Sequence, residues 1–139
     1  MGYDTCNCGG RKANHAQMCS QCRGKLNDRF VPKNITPEQI AWVAGIIEGE
    51  GCISSTKKKP QRWWISVRMT DKDTIQRLHM YTGIGSRCSD ASKYYTGMKP
   101  CYCWQVCKRV HREWLAKLIY PWLGERRQKR LYGFYAGVV

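Results

Sequence analysis

The sequence lacks the apolar segments that direct a chain into or across a membrane. It contains no run of about 18–20 apolar residues, so we expect no membrane-spanning helix and no membrane partner. Its first residues include no apolar stretch of the kind found in secretory signals. We therefore expect an intracellular protein, not a secreted one.

Acidic residues are scarce. The chain has 10 Asp and Glu against 24 Lys and Arg, which gives a formal net charge of +14. Such a balance favours a polyanionic partner, because phosphate contacts release bound counterions. Six Trp, eight Tyr and two Phe are too many for a disordered basic tail. The composition thus indicates a folded nucleic-acid-binding protein, and the excess charge argues against a module that binds only protein.

Nine cysteines in a chain without a secretion signal favour a metal site and free thiols over a disulfide framework. Residues 1–24 are polar and carry a C-x-C and a C-x-x-C pair, formed by Cys6, Cys8, Cys19 and Cys22. Four thiolates satisfy a tetrahedral Zn²⁺ and leave no open position, so we predict a structural zinc site. His15 is an alternative to one of the cysteines.

Other segments leave alternatives open. Residues 25–35 have no clear periodicity and contain Pro32, which indicates a basic linker that is either a solvated tether or a DNA-tracking arm. Cys88, Cys101 and Cys103 form either a second metal site or, by our preferred interpretation, inert packing residues.

The most unusual stretch is WVAGIIEGEG, residues 42–51, which predicts a helix that ends in two acids. Thr36, Pro37 and Gln39 before it form a predicted capping box with proline at the first helical position. Glu48 and Glu50 would face the negative pole of the helix dipole, which disfavours carboxylates. Residues that are unfavourable for a helix end therefore occur together at one place. This favours a functional site over the alternative of two solvated acids beside a glycine cap.

The rest of the chain predicts an α+β fold. After the first helix come strands over 52–58 and 61–70, a helix over 71–81, a hairpin over 86–96 and 100–108, and helices over 110–118 and from 121. Alternation puts aromatic and aliphatic residues on one sheet face. Polar side chains that would face either solvent or the DNA major groove are Ser54, Thr56, Lys58, Arg62, Arg68 and Gln105.

Residues 43–51 resemble the signature of the LAGLIDADG homing endonucleases in its xAGxxEGEG form. The resemblance implies an αββαββα fold with a curved antiparallel sheet over residues 36–139. It also implies that the helix packs on a symmetry mate, through Ala41, Ala44, Gly45, Glu48 and Gly49. Residues 1–24 resemble the small zinc ribbons found beside phage and intron nucleases.

By the same resemblance, the last acid, Glu50, holds a catalytic Mg²⁺, and Glu48 helps to shape the turn. Asp71 takes the place of a polar residue in the surrounding solvent network. Arg126 takes the place of a basic residue near the phosphates, where an arginine acts as an electrostatic clamp and not as a base.

The motif occurs once, so two chains are needed to build a paired active site. The resemblance therefore implies a homodimeric, Mg²⁺-dependent endonuclease of intron homing that cuts double-stranded DNA at a long, near-palindromic site. It would act in the cytoplasm of a phage-infected host or in an organelle. The alternative is a DNA- or RNA-binding regulator or intron-splicing cofactor (maturase) on the same fold that does not cut.

Overall fold

The computed structural model describes the backbone of residues 3–5 and 11–13, and residues 30–88 and 100–139. The chain divides into two compact units, residues 1–31 and 32–139. In the first, β1 (Tyr3–Thr5) pairs antiparallel with β2 (Arg11–Ala13). The division falls inside the segment predicted as a linker. The cysteines predicted to bind zinc lie outside the described residues, as does His15, so the zinc module and its boundaries stay a prediction.

The first helix of the second unit, α1 (Pro37–Glu50), confirms the predicted capping box. Thr36 Oγ1 accepts the Gln39 N–H at 3.2 Å, and Gln39 Oε1 accepts the Thr36 N–H at 3.1 Å. The helix ends at Gly51 in extended backbone (φ −80°, ψ 160°), not in a left-handed cap. Glycine is needed there because a Cβ atom would lie 2.5 Å from the Ile47 carbonyl oxygen.

A four-stranded antiparallel sheet follows, with strand order β3-β4-β6-β5. Its strands are β3 (Gly51–Ser55), β4 (Trp63–Met69), β5 (Ser86–Cys88) and β6 (Tyr102–Val106). The first strand is shorter than predicted, because the Thr56 hydroxyl bonds to both the N–H and the carbonyl of Lys59 at 3.2 Å. Thr56, Lys58 and Arg62 therefore lie in the β3–β4 connection, not in strands. Residues 89–99, in the middle of the predicted hairpin, lie outside the described residues.

The remaining helices are α2 (Lys72–Thr82), α3 (Arg109–Ile119) and α4 (Glu125–Phe134). Short 3₁₀ turns cover Tyr120–Trp122 and Ala136–Val138. The order of helices and strands matches the predicted α+β fold. None of the helices in the described residues is long and apolar enough to cross a membrane.

The helices bury one face of the sheet. Its buried residues alternate along the strands as predicted, and Ile65, Val67 and Trp104 have no exposed surface. Trp104 donates its indole N–H to the Ile84 carbonyl at 2.9 Å. The opposite sheet face, called the outer face below, carries most of the polar strand residues and also Cys103, which is buried. The core therefore fixes which strand residues reach solvent.

Candidate active site and nucleic-acid interface

The two acids of the signature have different environments. Glu50, the last residue of α1, is exposed, whereas Glu48 is partly buried. α1 has no basic residue in its last turn, so nothing within the helix offsets the negative pole there. An exposed carboxylate at that position is electrostatically suited to a cation.

Glu48 contacts the other end of the chain. Its Oε2 accepts the Gly124 N–H at 3.0 Å and lies 3.7 Å from Arg127 Nε. The same Arg127 nitrogen donates to the Glu48 main-chain carbonyl at 2.9 Å. Glu48 therefore joins the end of α1 to the start of α4, inside its own subunit. Sequence reasoning predicted it for the subunit interface and missed Arg127, since spacing alone cannot tell which of two adjacent arginines faces α1.

One face of α1 is open. Gly45 and Gly49 are exposed, and a Cβ atom built on either would meet nothing within 4 Å in the described residues. Ala41 is partly exposed. The prediction that Ala44 lies with them at the subunit interface is wrong. Ala44 has no exposed surface and packs in the chain's own core, because apolar residues cover more than one side of the helix.

Asp71 and Arg126 are both exposed. Gly51 pairs with Val67, so Asp71, four residues further along, follows at the end of the sheet where α1 terminates. Its side chain makes no capping hydrogen bond to α2. Arg126 lies in the first turn of α4, and within the described part of the chain its side chain makes no hydrogen bond or ion pair. Each side chain is thus available to solvent.

The outer face of the sheet is mostly polar, although Trp64 and Cys103 also lie on it. The strand register aligns Cys52, Ser66, Gln105 and Ser86 across all four strands. Ser54 lies on the same face, and Arg68 is exposed in the next row, beside Cys103. Thr56, Lys58 and Arg62 are exposed in the connection at one end of that surface. Hydroxyl, amide and guanidinium groups on one sheet face are suited to contact base edges and phosphates.

The described residues contain no group of three or more His, Cys, Asp or Glu side chains that could enclose a metal ion. Mg²⁺ does not need such a cage, because it keeps several waters and binds one or two carboxylates together with substrate phosphates. One exposed carboxylate from each chain, that of Glu50, fits that donor set. Neither Cys101 nor Cys103 forms a disulfide within the described residues, and the side chain of Cys88 lies outside them.

No protein-family model matches the sequence, and no curated protein matches it. Solved structures do. The homing endonuclease I-CvuI in complex with its target is 14% identical with a TM-score of 0.53, and the match covers 73% of this chain and 66% of that one. The group I intron-encoded homing endonuclease I-CeuI, complexed with DNA, is 17% identical with a TM-score of 0.56, over 84% of this chain and 61% of that one.

A third similar structure is the archaeal intron-encoded homing endonuclease I-Vdi141I complexed with DNA, with 14% identity, a TM-score of 0.53, and coverage of 73% and 67%. These neighbours are LAGLIDADG homing endonucleases. The protein has the LAGLIDADG homing-endonuclease fold, as residues 43–51 predict. It spans less than two-thirds of the length of the first two neighbours.

Proposed function

We propose that this protein is a homodimeric, Mg²⁺-dependent endonuclease of the homing type that cuts double-stranded DNA at a long, near-palindromic site. The observation that carries the proposal is the exposed Glu50 carboxylate at the end of α1 on this fold. The net charge of +14 and the polar outer face support a DNA partner.

The outer face would lie in the major groove. Arg68 would pair with guanine, the commonest specific contact of an arginine, and Gln105 with adenine. Ser54 would donate its hydroxyl to base edges. Thr56, Lys58 and Arg62, in the exposed connection between β3 and β4, would contact bases and phosphates farther from the active site. Phosphate contacts would set register, and base contacts would set sequence preference.

At the active site, Glu50 of each subunit would hold the divalent cation. Bound Mg²⁺ would supply a more acidic water and stabilise negative charge on the phosphate. The exposed Asp71 carboxylate would orient water by accepting hydrogen bonds. Arg126 would contribute a permanent positive charge near the phosphate, since a guanidinium does not give up its proton.

Assembly would occur through the open face of α1. Gly45 and Gly49 leave room for the backbone of a second α1, with Ala41 on the same side. A twofold axis there would put both Glu50 residues near one duplex and would demand a near-palindromic site. One chain supplies only one copy of the acid, so the paired site needs two chains.

The N-terminal unit would hold one structural zinc ion through Cys6, Cys8, Cys19 and Cys22. We expect one zinc per chain by elemental analysis of the purified protein. The double variant Cys19→Ser/Cys22→Ser is expected to lose that zinc, whereas the matched variant Cys52→Ser should keep it, because Cys52 is a free thiol in β3. Zinc retained by the double variant would contradict the assignment.

The proposed function is tested by selecting cleavable sites from a random duplex library with purified protein, in Mg²⁺ against EDTA. We expect metal-dependent double-strand cuts at a near-palindrome. Enrichment of a bound sequence without cutting would contradict the nuclease and support the regulator or maturase alternative. Neither binding nor cutting would contradict both.

The residue that carries the chemistry is tested by Glu50→Gln. The amide keeps the shape of the side chain but removes the anionic ligand. We expect cleavage to be lost by a factor of about 10³ or more while duplex affinity in EDTA is unchanged. Loss of binding together with cleavage would contradict the assigned role of Glu50.

A further inference from the structure

Three contacts join the start of α4 to the end of α1, although 76 to 79 residues of sequence separate them. They are Gly124 N–H to Glu48 Oε2, Arg127 Nε–H to the Glu48 carbonyl, and the Arg127–Glu48 ion pair. Two helix ends thus cap each other. Glu48 accepts an N–H from the residue before α4, and Arg127 satisfies a carbonyl in the last turn of α1.

The junction is close and only partly hydrated. The Arg127 side chain is 13% exposed, and the Glu48 side chain 40%. A Cβ atom at position 124 would lie 3.1 Å from Glu48 Oε1, so the glycine allows the chain to approach the carboxylate. Since α1 has no basic residue in its own last turn, Arg127 supplies the positive charge that this helix end needs.

We propose that Arg127 is a positioning residue for Glu50, an inference that rests on the proposed endonuclease function. Arg127 holds the carbonyl two residues before Glu50 and so restrains the turn from which the Glu50 carboxylate projects. It also neutralises Glu48. Of the two acids of the signature, Glu50 is then the one that has no ion pair among the described residues, which keeps it available to a divalent cation. Arg127 itself touches neither substrate nor metal in this scheme.

The test uses the full chain with Arg127→Gln, Arg127→Lys and a matched control, Lys129→Gln. Lys129 lies in the same helix and is 77% exposed, and its only ion pair in the described residues is with the 81%-exposed Glu125. Its replacement removes the same charge without touching α1. The variant Glu48→Gln keeps an acceptor for Gly124 and removes the ionic attraction, so it serves if Arg127→Gln fails to fold.

The first readout is independent of activity. In metal-free protein, hydrogen exchange of the amides of residues 48–52 should accelerate in Arg127→Gln and not in Lys129→Gln. In Arg127→Lys the acceleration should be smaller, because one ammonium group keeps the charge but not the guanidinium geometry.

The second readout is single-turnover cleavage of prebound duplex, well below the melting temperature of each variant. We expect Arg127→Gln to raise the half-saturating Mg²⁺ concentration about 10-fold and to lower the rate about 10- to 100-fold. Duplex affinity in EDTA should be unchanged. Glu48→Gln should also raise the half-saturating Mg²⁺ concentration and lower the rate, and Lys129→Gln should change neither.

If Arg127→Gln lowers only the melting temperature and leaves the rate and Mg²⁺ dependence of bound protein unchanged, Arg127 is merely structural and the inference is overturned. If the wild-type protein does not cut any selected duplex, the proposed function itself fails. The two failures are distinct, because the wild type is active in the first and inactive in the second.

Discussion

At the scale of single residues, three glycines at the end of α1 have different environments. Gly45 and Gly49 face open space, whereas Gly51 lies against the helix backbone, with the Ile47 carbonyl 2.5 Å from where its Cβ would be. A glycine inside a helix costs about 0.5–1 kcal/mol relative to alanine. Keeping two of them on an open face is consistent with close approach by another backbone, as the proposed dimer requires.

Gly45→Ala and Gly51→Ala should therefore have opposite effects. The first should raise the unfolding free energy of the isolated subunit by about 0.5–1 kcal/mol and weaken the proposed dimer. The second should lower it by about 1–3 kcal/mol, because the added methyl group overlaps fixed backbone. Denaturant unfolding at low protein concentration measures the first effect, and analytical ultracentrifugation measures dimerisation. A Gly45→Ala protein that dimerises as tightly as wild type would contradict the proposed interface.

The same scale shows what could be predicted from residue types. The capping box at Thr36 and Gln39 follows from local chemistry, and it was predicted correctly. The side of α1 on which Ala44 lies was not predicted correctly. Apolar residues at 43, 44, 46 and 47 cover more than one face of the helix, and only tertiary packing decides which side is buried. The Arg127 contact was missed because it joins segments 79 residues apart.

At the scale of elements, stacked aromatic rings hold the end of α4 against the sheet. Trp63, at the start of β4, stacks on Phe134 (6.1 Å, 12°) and on Tyr135 (6.3 Å, 22°). Arg112 lies over the Trp63 ring at 4.9 Å and donates to the carbonyls of Cys107 and Gln61 at 2.8 and 3.0 Å. These contacts tie α3 and the end of α4 to the sheet, which helps to keep α4 beside α1.

The predicted strands and helices were mostly right, because alternation and helical spacing reflect one buried face. Their bounds were less accurate. Alternation along residues 52–58 predicts a strand through Lys58, yet the hydroxyl of Thr56 closes a turn after Ser55. A side-chain hydrogen bond of this kind competes with strand pairing, and it cannot be recognised from the hydrophobic pattern of the sequence.

The first turn of α3 should respond to acid. Burial, with a smaller effect from Lys108, lowers the pKa of His111 below its ordinary value of 6.5. The folded state therefore favours neutral His111. This contribution to stability is complete above pH 6.5 and is lost as the pH falls through the lowered pKa.

We expect His111→Gln, which cannot be protonated, to reduce the fall in melting temperature between pH 7 and about pH 5. Thermal unfolding followed across that range measures it. His79→Gln is the matched control, because that histidine lies in a different helix, α2. An equal acid response in wild type and His111→Gln would contradict the prediction.

At the scale of the whole molecule, some of the positively charged side chains are engaged in contacts within the chain. Arg112, Arg127 and Arg130 each donate to a main-chain carbonyl of a distant segment. Guanidinium groups used in this way act as internal cross-links. At least these three of the 24 Lys and Arg side chains are therefore less available to a nucleic acid.

The salt dependence of duplex binding should distinguish arginines that contact DNA from arginines that bond to carbonyls within the chain. Replacing the exposed Arg62 by Gln should reduce the slope of log affinity against log salt by about one, as expected for one lost phosphate contact. Arg112→Gln should lower the melting temperature and leave the slope unchanged. Filter binding at several salt concentrations measures both. A reduced slope in Arg112→Gln alone would contradict this division.

The junction between α1 and α4 also has a consequence for the order of events during synthesis. The end of α1 leaves the ribosome well before Gly124 and Arg127 have been made, and until then Glu48 lacks its partners. A nascent chain with its sheet already formed would still have an unrestrained helix end. On the proposed endonuclease function, cleavage would then begin only after α4 has docked against the end of α1.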